Sequence, residues 1–299
     1  MTSGNKSPAF AGTFDGQGYA IRNYIVEDDG TVYKQTALFG QLLGATVRNL
    51  VIDSSCRISY TGGGGTQAAF VANYAHWAAT FDNISVRGSM DGVTSTYVGG
   101  IVSRFEGGGN IRFQSCEVIG EMKSIAADHT GGFAGSCGWS GAGGSLILEA
   151  CLNAADITNT NFTGGFIGVI GGCRRATFAN CVNRAAINGF SVENDRRTGG
   201  FVGSTQRGAL KLTFRDCKSY GSVNGNAPYL GVVTNEITAE GGLEVNGTVY
   251  ETPIAAKTWG SRFGSFEVGQ VDPPEPDRDT PSTEAGYRSA SVQRVDLSS

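Results

Sequence analysis

The sequence predicts an all-β solenoid, a right-handed parallel β-helix of about seven rungs. Three observations predict it. Glycine makes up 46 of 299 residues, roughly twice ordinary usage, with only 7 prolines and no Gly-x-y period. That composition suits many tight turns between short strands. A short motif, Phe/Leu-x-x-Cys, recurs at Phe113 to Cys116, Leu148 to Cys151, Phe178 to Cys181 and Phe214 to Cys217. Further columns of residues keep step with it.

With an apolar residue in place of Cys, the motif extends backwards to Phe81, Val47 and Ile21, at spacings of 26 to 36 residues. Six residues after the Cys position stand Cys56, Met90, Met122, Ile157, Ile187 and Val223, all apolar. Just before it stand Asn23, Asn49, Asn83, Ser115, Ala150, Asn180 and Asp216, mostly types that tolerate turn geometry. Phe and Cys lie three apart, so a regular strand would point them to opposite faces. A bend at the intervening residue turns both inward. A second block precedes each new rung: Ala37-Leu38-Phe39-Gly40, Ala69-Phe70, Gly99-Gly100-Ile101, Gly131-Gly132-Phe133, Gly164-Gly165-Phe166, Gly199-Gly200-Phe201 and Tyr229-Leu230-Gly231. Its glycines mark a turn or a close backbone approach, and the aromatic after them points into the core.

One rung cannot bury its own apolar face, whereas stacking makes the core continuous. Seven rungs about 4.8 Å apart give a rod on the order of 35 Å long. Rung length varies at two places, so loops emerge at two corners. Gly62 to Gly65 lie in the first ridge, Gly107 to Gly109 and Gly141 to Gly144 in the second. Function on a rigid scaffold is expected in such loops. Residues 1–9 are read as a lead-in, 10–256 as the solenoid and 257–299 as a flexible tail, rich in Pro, Ser, Thr and Asp. Leu243 to Gly247 reads as a degenerate closing rung.

The net charge of −4, without a basic block, excludes a nucleic-acid footprint. No apolar run approaches the ~20 residues of a membrane span. Met1 to Pro8 lacks an apolar signal core, so export would rest on a segment outside this sequence.

Thr163-Gly164-Gly165-Phe166-Ile167-Gly168 and Thr198-Gly199-Gly200-Phe201-Val202-Gly203, each followed by Phe-x-Asn/Asp-Cys, resemble the GLUG-type repeat of large bacterial surface proteins. Phe10 to Asn23 resembles the segment that often opens such arrays. The resemblance covers about residues 10–235. It implies right-handed parallel β-helices in adhesin-like proteins of the cell surface.

Catalytic signals are sparse. The seven cysteines lack metal-ligand spacing and are expected as free, packed thiols, with Cys137 and Cys173, read as loop residues, the one pairing to check. In-register thiols of a parallel stack point the same way, which suits a disulfide dihedral poorly. Asn153 and Asn183, two residues past the Cys position on adjacent rungs, are expected to bond along the axis. His129 is read as a solvated turn residue, and His76 beside Trp77 as packing or part of a binding loop. The acids Asp82, Asp91, Asp128, Glu149, Asp156, Glu193, Asp195 and Asp216 repeat in no column, although the spacing is compatible with Asp91, Asp156, Glu193 and Asp195 falling on one loop ridge. Thr130, Thr163 and Thr198 form a single column beside a turn, too narrow for an ice-binding array.

The expectation is a non-catalytic, adhesin-like binding or assembly module at the cell surface, presenting loops to a protein or glycan ligand or to neighbouring subunits. No catalytic, metal or cofactor residue is assigned. The alternatives are a carbohydrate-active β-helix enzyme and an architectural subunit of an appendage; fold alone does not choose among them.

Overall fold

A computed structural model describes residues 9–28, 35–61, 66–138, 144–192, 195–206, 209–260 and 263. Residues 1–8, Gly62 to Gly65, Gly141 to Gly143, Glu193 and nearly all of the expected tail lie outside the described residues. Among the described residues there is no α-helix. The chain is a parallel β-solenoid of about seven turns.

One middle turn shows the plan. Thr94–Gly99 runs up to the Gly-Gly corner, Val102–Glu106 leaves it, Ile111–Gln114 carries the Phe of the motif, and Glu117–Val118 follows its bend. Each strand pairs in parallel with its counterparts one turn before and one turn after. Ile111–Gln114, for example, lies between Ala79 to Asp82 and Leu146 to Glu149. The motif position therefore forms a line: Phe14, Val47, Phe81, Phe113, Leu148, Phe178, Phe214 and Val245. Phe81 stacks on Phe113 at 4.9 Å and Phe178 on Phe214 at 5.0 Å. Opposite it, Phe133, Phe166 and Phe201 stack at 4.8 Å spacing, with Tyr229 next. The two stacks meet edge to face, as ring quadrupoles prefer: Phe113 to Phe133 at 5.5 Å, Phe201 to Phe214 at 5.4 Å.

The bend between Phe and Cys is a left-handed residue on turn after turn. Asn49, Asn83, Ser115, Ala150, Asn180 and Asp216 all have φ between 51° and 53°. This single residue resets the alternation, so both Phe113 and Cys116 are buried although three apart.

Three expectations about the early turns are corrected. Phe14, not Ile21, pairs with Val47; Ile21 pairs with Ile52. A tight turn at Gln17 and Gly18, with φ of 53° and 76°, lengthens turn one, so Ile21 falls past the bend. Asn23, also at positive φ, belongs to a different corner, where its N–H donates to Ser55 Oγ at 2.9 Å. Ile58, not Cys56, pairs with Met90, because a turn closed by Cys56 N–H on Asp53 O inserts residues before it. Val71, not Phe70, stands beside Ile101 in the aromatic column; Phe70 takes the place of Gly100.

Gly242–Val245 adds a parallel strand, and the chain then folds back antiparallel. Thr248–Tyr250 returns along Gly242–Val245, and Thr258–Trp259 along Leu230–Val233. Phe263 is buried against Tyr250 at 5.0 Å, so the folded body runs past residue 256 and its last turn closes as a cap.

Candidate functional site

The outward face of the strand Ala72–Val86 carries the most distinctive group of side chains. Tyr74 and His76 alternate outward, their rings stacked at 5.3 Å and 16°. One turn on, Arg104 is the partner of Tyr74 and Glu106 the partner of His76. Arg104 Cζ lies 5.6 Å from the Tyr74 ring centre and 4.8 Å from that of Tyr97, and its guanidinium is paired with Glu106. One turn before, Leu43 partners His76 and is 41% exposed.

Between Leu43 and Ala45 the register slips, so that Trp77 and Ala78 together oppose Gly44. This is a β-bulge, a device that re-aims a side chain. Trp77 sits on it at φ 66°, in a region a bulky residue seldom occupies, with 62% of its surface exposed. The turn above it consists of Gly107, Gly108 and Gly109. A Cβ at Gly107 would lie 3.1 Å from Trp77 N, and one at Gly109 would run into Trp77 O. Only glycine lets this loop pass so close, and it leaves no side chain there beside the indole.

The rings continue along the rod. His129 lies in the strand Met122–Gly131, 6% exposed, edge-on to Tyr97 at 5.2 Å and to Phe162 at 5.7 Å. It is a packed strand residue rather than a solvated turn. Burial, reinforced by the Arg104 charge, pushes its pKa down to about 4. The same two causes, in the same order, lower His76, so both imidazoles are neutral at pH 7. Arg197 lies between Phe162 at 4.9 Å and Phe190 at 5.1 Å, held by Asp195.

The acids do not converge in a cleft. Asp91 and Asp156 flank the exposed Lys123, whose Nζ meets Glu121 at 2.7 Å, and the Glu121 contact raises the lysine's pKa. Asp156 is further used in accepting the Ala186 N–H at 2.8 Å. Among the described residues no three His, Cys, Asp or Glu side chains are grouped to hold a metal. A surface depression of about 360 Å³ is lined by uncharged residues: Gly138, Gly171, Gln206, Thr234 and Asn235.

The seven cysteines are free and buried. Cys116, Cys181 and Cys217 each donate to a carbonyl of the preceding turn, at Phe81, Leu148 and Phe178. Contact with the Cys151 thiol pushes Cys181 up to about 12, and burial raises Cys151 itself. Cys137 and Cys173 lie in the strands Ala134–Cys137 and Cys173–Ala179, not in loops. The Cys173 thiol, with burial, pushes Cys137 upward. Asn153 Nδ2 donates to Asn183 Oδ1 at 2.9 Å, both residues fully buried, as the repeat predicts. Thr130, Thr163 and Thr198 are buried and present no surface to solvent.

Sequence reasoning singled out His76 and Trp77 but missed Leu43, Tyr74, Arg104 and Glu106. Tyr-x-His and Arg-x-Glu stand at equal distance past Val71 and Ile101 once those two residues, rather than Phe70 and Ile101, are aligned. No family model matches the chain, nor does any curated protein or solved structure.

Proposed function

We propose that the chain is a non-catalytic, adhesin-like binding module of a bacterial cell-surface protein of GLUG-repeat type, displaying loops from a rigid β-solenoid outside the cell. The observation that carries this is Trp77. A strained, 62% exposed indole on a bulge is costly to keep, and burial gives no return for it. Large exposed aromatics with polar neighbours are the anchors of recognition surfaces. Arg104, on the next turn, is already neutralised by Glu106, which suits contact better than proton transfer. Weak contacts of such a module add when it is repeated along a longer protein.

The test is binding to arrays of glycans and extracellular-matrix proteins, run on the intact module and on a version with both loop ridges shortened. Binding by the intact module that the shortened version loses is the expected result. Binding that survives shortening overturns the assignment to the loops, and no binding to either array overturns the adhesive role.

An assembly subunit is the second reading, and the first turn favours it. Phe10, Phe14, Ile21, Tyr24 and Val26 are only partly buried. Among the described residues no strand pairs with the outer edges of Thr13–Asp15, Ala20–Ile21 and Ile25–Asp28. Such an edge can template pairing with another chain.

A further inference from the structure

Resting on that binding role, we infer that the Trp77 platform is a subsite for an uncharged pyranose oligosaccharide lying along the solenoid axis. Three features select this ligand. The first is shape. Leu43, His76 and Glu106 stand in line on three successive turns, with Trp77 beside them. At the inter-strand spacing this strip is about 10 Å long, the reach of two sugar rings end to end.

The second is charge. Arg104 and Glu106 answer each other within the platform, and burial together with Arg104 keeps His76 neutral. The strip therefore carries no net charge, and a phosphate, a sulfate or a uronate gains no attraction beyond what Glu106 already takes from Arg104. The third is the mixture of surfaces. A pyranose shows an apolar face of axial C–H groups and a rim of hydroxyls. The indole offers an apolar plane to the face, and the Glu106 carboxylate and His76 ring offer hydrogen-bonding groups to the rim. A peptide side chain would use the plane and leave the polar rim unanswered. The side-chain-free turn at Gly107 to Gly109 puts only backbone against Trp77, so no neighbouring side chain on that turn covers the indole, which stays 62% exposed.

The experiment is titration of the full chain with defined neutral hexasaccharides: cellohexaose, laminarihexaose, mannohexaose and xylohexaose. Binding is followed by tryptophan fluorescence and by calorimetry. At least one is expected to bind, with a Kd raised tenfold or more in Trp77→Ala and largely recovered in Trp77→Tyr. Thermal melts of both variants should match the parent, since the side chain is mostly in solvent. A second variant, Gly108→Gln, places a side chain on the exposed turn next to Trp77 and should weaken binding while Trp77 stays intact. No binding to any of the four overturns the inference, as does binding indifferent to Trp77→Ala. If a matrix protein binds in a Trp77-dependent way while all four sugars fail, the sugar assignment falls and the adhesive role stands. If neither sugars nor arrays give binding, both fall.

Discussion

Two buried or strained residues make sharp tests of the local physics. Ala150 holds the left-handed bend at φ 51°, where four of the five other turns use Asn or Asp-type residues and one uses Ser. An alanine in this region costs roughly 1–2 kcal/mol, whereas Asn hydrogen-bonds locally and tolerates it. Ala150→Asn is therefore expected to stabilise by about 1 kcal/mol, read as a higher urea midpoint with unchanged slope. A midpoint that falls would show that side-chain fit, not backbone strain, governs the site. His129 tests electrostatics. Its folded pKa of about 4 lies below the unfolded value of 6.5. Between those values the unfolded chain binds the extra proton, so stability rises with pH across the window. The contribution is complete above pH 6.5 and is lost as pH falls towards 4, on the order of 3 kcal/mol in all. Unfolding midpoints at pH 7.5 and 5 should diverge in the parent and converge in His129→Phe, whose ring suits the contacts to Tyr97 and Phe162. Equal pH slopes in the two proteins would refute it.

At the scale of the element, the repeat shows one column serving two chemistries. Two residues past the Cys position stand Val86 and Val118 on early turns, Asn153 and Asn183 on later ones. From Val118 onward each faces the second glycine of the corner. A Cβ at Gly100 would lie 2.9 Å from Val118 Cγ1, and one at Gly132 would lie 2.5 Å from Asn153 Oδ1. The glycines are required first by the backbone of the next turn, whose carbonyl a Cβ at Gly100 or Gly132 would run into, and then by the side chains they face. The cavity accepts either shape, but a lone buried amide without its partner costs about 1–3 kcal/mol. Asn183→Val alone should destabilise by that amount. Asn153→Val with Asn183→Val should cost at least about 1 kcal/mol less than the sum of the single changes. Additive single costs, measured by chemical unfolding of the four-member cycle, would mean the amides do not couple. This column was legible in the sequence because identical spacing on adjacent turns forces contact. The register of turns one to three was less legible. Two-residue insertions at Gln17-Gly18 and before Cys56 preserve apolar character while shifting it, and pattern alone cannot distinguish a slipped column from a true one. The platform was partly legible: an exposed Trp beside His is visible in the sequence. The bulge that presents it depends on Gly44 facing two residues at once, which only the pairing reveals.

For the whole molecule, the two ends of the rod differ, and the difference governs association. A parallel stack offers an unsatisfied ladder at each end, and another chain can extend it. At the C-terminal end the chain reverses. Ile237 and Ile254 exchange both N–H to O bonds, at 2.9 and 2.8 Å, and Thr248–Tyr250 and Thr258–Trp259 lie antiparallel on the last coils. A following parallel turn finds those partners already taken. The cap is also anchored by burial, since Phe263 is 1% exposed and packs on Tyr250. Truncation after Asn246 removes the cap and bares Leu230–Val233 and Gly242–Val245. It should produce concentration-dependent assemblies by light scattering, while truncation after Phe263 should not. Proline at Ile254, which deletes the donor to Ile237 O, should act in the same direction more weakly. If the protein cut after Asn246 stays as monodisperse as the one cut after Phe263, the antiparallel segments are not what blocks growth. Control of association would then lie with the first turn, whose rings Phe10 and Phe14 pack on Phe39, each at 5.3 Å.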